Sequence, residues 1–226
     1  MSHQNLGQVT LLVSGSWNLE SFSKKTSSYK ECFSVITAAY SPQVSQIFKE
    51  CFVGEWTEQE AASHSETQGL CALIFNDNLE EFAQIQDIIS MAFECGALGF
   101  FLESIGKSYS IHFWNDLMVL ENKPLDNLVQ VFILPIWVKG RLYSMGMNFF
   151  GEFDLSIQCE KKDDEQKVTL LLDFCAEVLS IDDLDLSQKF VTALAETYTI
   201  KQEDAPQFFN QSGYEAVGMY RFVKQI

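Results

Sequence analysis

The sequence predicts an α+β protein built on a mixed sheet with helices packed mainly on one face. Three observations carry this expectation. Residues 70–102 read as strand, helix, strand. "LCALIF" and "ALGFFL" are continuous apolar runs, and between them Phe82, Ile85, Ile88, Ile89, Ala92 and Phe93 recur at helical spacing. Runs without polar interruption mark strands covered on both faces. Residues 141–159 form the second observation. Tyr143, Met145, Met147 and Phe149 alternate, Phe150 follows directly, and Phe153, Leu155 and Ile157 alternate again after Gly151. The break in alternation at Phe150 and Gly151 predicts a bulged strand pair, a strand joined to a second through a glycine bend. The third observation is composition: 47% hydrophobic and 20% charged residues in 226 positions suit a folded core rather than a disordered chain.

The remaining elements follow from local chemistry. "QVTLLVSG" (8–15) is a strand closed by Gly15, and the serine- and lysine-rich residues after it predict a loop with one helical turn. "CFSVITAAY" (32–40) is β-branched and aromatic, a second strand. Ser41 and Pro42 start a short helix, with Val44, Ile47, Phe48 and Cys51 on one side. Residues 54–69 form a long acidic excursion in which Trp56 is the single large apolar residue. Asn78 and Glu81 make a capping box for the next helix, which Gly96 stops. Residues 110–120 read as a helix and 128–138 as a strand interrupted by Pro135. Asp163, with Gln166 three residues on, caps a helix whose stripe is Val168, Leu171, Leu172, Cys175 and Leu179. An aspartate loop (180–187) precedes strands over 189–202, where Phe190, Leu194 and Tyr198 also fit helical spacing, and 216–223 is the last strand. No linker divides the chain, so one α+β domain (1–226) is expected, with residues 1–60 as a candidate subdomain.

Charge narrows the function. Thirty-one acids against 15 bases give a net charge of -16, which disfavours nucleic acid and anionic membranes and favours a basic protein partner. The six cysteines sit mostly in apolar runs with no C-x-x-C pair, as reduced thiols do. No secretion-signal pattern or membrane-length apolar run is seen, and the expectation is a cytoplasmic protein.

The run "LPIWVKGRLYSMGMNFFGEFDLSI" resembles a bacterial family known as domain of unknown function family 4261, through Tyr143, Gly146, Met147, Phe150, Gly151 and Glu152, with Asp154 next in the strand. The junction "FECGALGFF" is similar to the same family's. The resemblance covers about residues 70–226 and implies a bacterial, cytosolic α+β protein of no established activity.

Motifs for catalysis are absent from the sequence. There is no G-x-S-x-G, P-loop or G-x-G-x-x-G, and no cofactor is expected. Glu60 and His64 sit four apart, but zinc takes three or four protein ligands, so no metal is expected. What stands out is segregation: from Glu50 to Asp116 twelve acids accompany a single base, Lys107. A one-signed surface around an exposed aromatic is the pattern of a docking site. The expected partner-binding residues are Glu55, Trp56, Glu58, Glu60 and Glu66, with the loop of Asp182, Asp183 and Asp185 as a second surface. The expected function is a non-enzymatic immunity protein that neutralises a basic cognate toxin by covering its active site. The alternatives are a small-molecule sensor or enzyme using a groove near Met145 and Met147, and a structural subunit of an assembly.

Overall fold

A computed structural model describes residues 9–16, 18–39, 69–75, 82–120, 123–162, 164–181, 184–209 and 218–225, with Gln43, Gln46, Phe48, Glu50 and Ala216. The fold is α+β. It carries two sheets, and the second of them is mixed, as expected. The chain divides into compact units between Asn127 and Leu128, rather than near residue 60, and each unit carries its own sheet.

The unit Gln4–Asn127 holds five strands in the order β2-β3-β1-β4-β5: β1 (Val9–Gly15), β2 (Phe33–Ala39), β3 (Gly69–Phe75), β4 (Ala97–Leu102) and β5 (Lys107–Ser110). Every neighbouring pair is antiparallel. Because β1 lies between β3 and β4 and opposes both, those two strands run parallel, and α2 (Phe82–Glu94) crosses over to join them. The strand–helix–strand reading of 70–102 is thus realised with both strands inside the sheet. Ile85, Ile88, Ile89, Ala92 and Phe93 are buried, as their spacing predicts. Gly96 ends the helix at φ 100, a conformation that glycine adopts at little cost.

Aromatic residues fill the core beneath this helix. Phe93, Phe100 and Trp114 sit with ring centroids 5.9–6.2 Å apart. Trp114, on α3 (Ile111–Val119), donates its indole N–H to Ser90 Oγ at 3.0 Å, which satisfies the polar end of a fully buried ring. Residues 19–25, expected in a loop, form α1 (Leu19–Lys25), capped where Asn18 Oδ1 accepts from Ser21 N at 2.9 Å. Phe22 is its one buried residue, so periodicity gives this helix almost no signal.

The unit Leu128–Ile226 holds six strands in the order β6-β7-β8-β11-β10-β9: β6 (Ile136–Val138), β7 (Arg141–Tyr143), β8 (Asp154–Gln158), β9 (Lys189–Val191), β10 (Thr197–Glu203) and β11 (Met219–Lys224). Only the β8–β11 pair is parallel. The helix α5 (Glu165–Leu179) covers one face: Phe174 stacks on Phe222 at 4.2 Å and meets Phe190 and Tyr198 edge-on at 6.0 and 5.1 Å. Asp164, one residue later than expected, caps this helix by accepting from Lys167 N at 3.2 Å. Leu171 and Cys175 belong to its buried stripe as predicted, joined by Phe174 and Val178.

Two further expectations are corrected. Residues 128–132 are not strand but the end of helix α4 (Pro124–Phe132). Pro124 stands in the first turn, where its missing N–H costs nothing, and Leu125, Leu128, Val129 and Phe132 follow at helical spacing. Reading only the β-branched, apolar end of this segment conceals that period. The second correction concerns 141–159. β7 and β8 do pair, with Tyr143 opposite Ser156, but a 3-10 turn (Met147–Phe150) joins them rather than a one-residue bulge. Gly146 (φ 131) enters the turn and Gly151 (φ 79) leaves it.

Candidate functional site

Glu55, Trp56, Glu58, Glu60 and Glu66 lie outside the described residues, as do His64, Asp182 and Asp183. Asp185 is described and exposed. Its carboxylate accepts from Ser187 N at 2.8 Å and Ser187 Oγ at 2.7 Å, and these bonds hold it below the usual aspartate range.

Asp185 opens an edge of the second sheet that exposes apolar side chains. Leu186 is 43% exposed, Val191 64% and Leu194 82%. β9 alternates about Phe190, which is fully buried, so Lys189 and Val191 necessarily face out. The chain then reverses through Thr192–Ala195: Ala195 N donates to Thr192 O at 2.9 Å, and Thr192 N donates to Glu196 O at 3.0 Å. This turn lifts Leu194 off the core. On the returning strand Glu196 accepts from Tyr198 Oη at 2.9 Å and from the Lys224 ammonium. Burial and then the Glu196 carboxylate push the Tyr198 phenol up to about 12. Apolar side chains are therefore set between the carboxylates of Asp185 and Glu196. The sequence names Asp185 as a candidate. It gives no sign of Val191 and Leu194, whose apolar character reads equally well as core.

The residues of the alternative groove, Met145 and Met147, are buried at 4% and 0% exposure. Beneath them is Asp154, also fully buried. Its Oδ1 accepts from Ser144 Oγ, Gly146 N and Met147 N, each at 3.2 Å. Ser144 Oγ in turn accepts from Leu155 N at 2.7 Å. The carboxylate thus takes up backbone donors at the start of the 3-10 turn and ties it to β8. Cys175 faces this cluster, and burial, with the Asp154 charge in second place, pushes its thiol well above the ordinary value. A thiol held protonated and out of solvent is a poor nucleophile. Ser144, Asp154 and Cys175 are a structural centre by this chemistry.

A shallow cleft of about 350 Å³ lies beside the start of α5, lined among others by Lys161, Lys167, Lys224, Tyr198 and Phe222. Glu160 and Asp164 share its wall and Lys224 is engaged by Glu196, so little net positive charge is left to hold an anion. The two arginines of the chain both bind Glu203, at 3.1 Å each. Among the described residues, no group of three His, Cys, Asp or Glu side chains could hold a metal, and His112 is exposed. No described helix is long and apolar enough to cross a membrane. A scan against protein-family models and searches of curated proteins and of solved structures found no match to this chain.

Proposed function

We propose that this chain is a non-enzymatic acidic binding protein for a basic protein partner, most concretely a bacterial immunity protein, of the domain of unknown function family 4261, that covers the active site of a cognate toxin in the cytoplasm. The observation that carries the reading is the edge at residues 185–196, where exposed Leu186, Val191 and Leu194 are bordered by acids on a chain of net charge -16. Exposed apolar anchors with a charged border match the anatomy of a protein interface, in which the centre supplies affinity and the border sets encounter rate. The acidic segment around Trp56 is the second candidate surface, on its sequence alone.

Co-expression with the products of neighbouring genes tests the proposal. A basic product that arrests growth alone and is tolerated beside this chain supports it. With that partner in hand, Leu194→Ser weakens the complex about tenfold or more through faster dissociation. Trp56→Ala does the same by roughly thirtyfold if that surface is the anchor. Asp185→Asn slows association and flattens its salt dependence. No basic binder among the neighbours, or a complex indifferent to all three variants, sinks the reading.

A further inference from the structure

The two sheets have four edges, and three are short. β5 spans four residues, and β6 and β9 span three each. β2 spans seven, Phe33–Ala39, and pairs with β3 residue for residue without a register shift. Its other edge has no strand partner among the described residues. Proteins ordinarily guard such an edge with a charge, a proline or a bulge. "FSVITAA" has none of these, and Ser34, Val35, Ile36 and Thr37 are all exposed. Beside this edge lies a cavity of about 250 Å³ between α1 and β2. Leu19, Phe22, Phe33 and Val35 give it apolar walls, Ser23 stands on its rim and Lys30 on its lining at the start of the strand. Lys30 makes no ion pair among the described residues, whereas Lys25 is engaged by Glu94. Residues 19–35 carry three lysines against two glutamates, the reverse of the balance of the whole chain.

We infer that β2 is a strand-addition site for an extended peptide segment of a protein partner, one with apolar side chains at alternate positions and an Asp or Glu side chain toward its C-terminal end. Backbone N–H and C=O groups along β2 supply the pairing, and the cavity beside it takes one apolar side chain; this division of labour gives affinity and specificity separately. Antiparallel addition continues the pairing used throughout this sheet. It brings the C-terminal end of the peptide to the Phe33 end of β2, where Lys30 meets its carboxylate. A second copy of the chain is the less suitable occupant, since two bodies of charge -16 repel. The inference is independent of the basic partner proposed above, whose carrying observation is the edge at residues 185–196 of the other sheet.

The probe is a short fluorescent peptide that alternates Val and Thr, ends in Glu and is amidated, titrated against the full chain by fluorescence polarisation. The inference expects saturable binding that falls about tenfold or more when alternate peptide amides are N-methylated, because methylation removes one edge of donors. Ser23→Trp, at an exposed rim position, fills the cavity and reduces affinity by a similar factor with an unchanged melting temperature. Lys30→Gln weakens the Glu-ended peptide about threefold and leaves a Gln-ended one unaffected. Absence of saturable binding overturns the inference, as does equal binding of the N-methylated peptide or indifference to Ser23→Trp. A chain that sediments as a dimer and becomes monomeric on Ile36→Lys overturns it too, by assigning the edge to self-association.

Discussion

Two charged side chains are buried among the described residues, one in each unit, and the units treat them differently. Asp154 in the second unit is fully enclosed and accepts from Ser144 Oγ and from the backbone N–H groups of Gly146 and Met147 in the turn it anchors. Lys107 in the first unit is 8% exposed on β5, with its ammonium 6.0 Å from the Tyr109 ring centroid, and burial pushes it down to about 8. A buried charge that gathers donors organises the chain around itself. One whose proton affinity is set by burial costs stability in its charged form. The "YSMGMNFFGEFDLSI" stretch thus owes its unusual composition to a chain that folds around a buried carboxylate.

The largest effect that sharpens this comparison is at Gly146. A Cβ there meets the Phe132 carbonyl oxygen at 2.1 Å, and the backbone has φ 131. Gly146→Val therefore costs about 3 kcal/mol or more, measured by urea unfolding, because it displaces the N–H that Asp154 holds. Tolerance of valine would mean that the turn is not fixed.

Lys107→Met tests the other buried charge through pH. The folded-state pKa lies below the ordinary lysine value of 10.5, so the unfolded chain holds more protons between the two values and stability rises with pH across that window. Below about pH 8 the burial cost is present in full. The substitution removes this rise of stability between about pH 8 and pH 10.5, read by urea unfolding across that range. A Lys107→Met protein whose stability still rises across that window would assign the titration to another group.

Smaller effects belong to the rim of the Asp154 turn. Gly151 adopts φ 79, so Gly151→Val costs about 1 kcal/mol or more, whereas the half-buried Glu152→Gln changes the melting temperature little. The smallest is Glu203→Gln, at about 1 kcal/mol or less, because the pairs with Arg141 and Arg221 are partly exposed. Burial raises the Glu203 pKa, but the arginine bonds outweigh it and leave a net depression. This contribution is present above the ordinary glutamate value of 4.5 and is lost as pH falls through the folded value. Acid titration of both proteins by circular dichroism checks the sign.

The sequence discloses those parts of the fold that repeat a period over several turns. α2 is legible because Ile85, Ile88, Ile89, Ala92 and Phe93 mark one face, and β3 and β4 because both are apolar throughout. α1 is not legible, since it buries Phe22 alone, and α4 is masked by its β-branched end. The Asp154 centre is invisible for a different reason. An aspartate opening a strand reads as solvent-facing, and only the returning turn supplies the donors that let it be buried. The exposed edge at Val191 and Leu194 escapes for the same reason: an apolar residue declares its preference, not its position.

Asp154 holds the turn at Gly146 and Met147 to β8 and so anchors the second unit. Urea unfolding of Asp154→Ala, which leaves Ser144 Oγ and the Gly146 and Met147 amides without their acceptor, tests it most directly. The account predicts a loss of about 3 kcal/mol or more from unsatisfied buried donors. An Asp154→Ala protein as stable as the parent would contradict it.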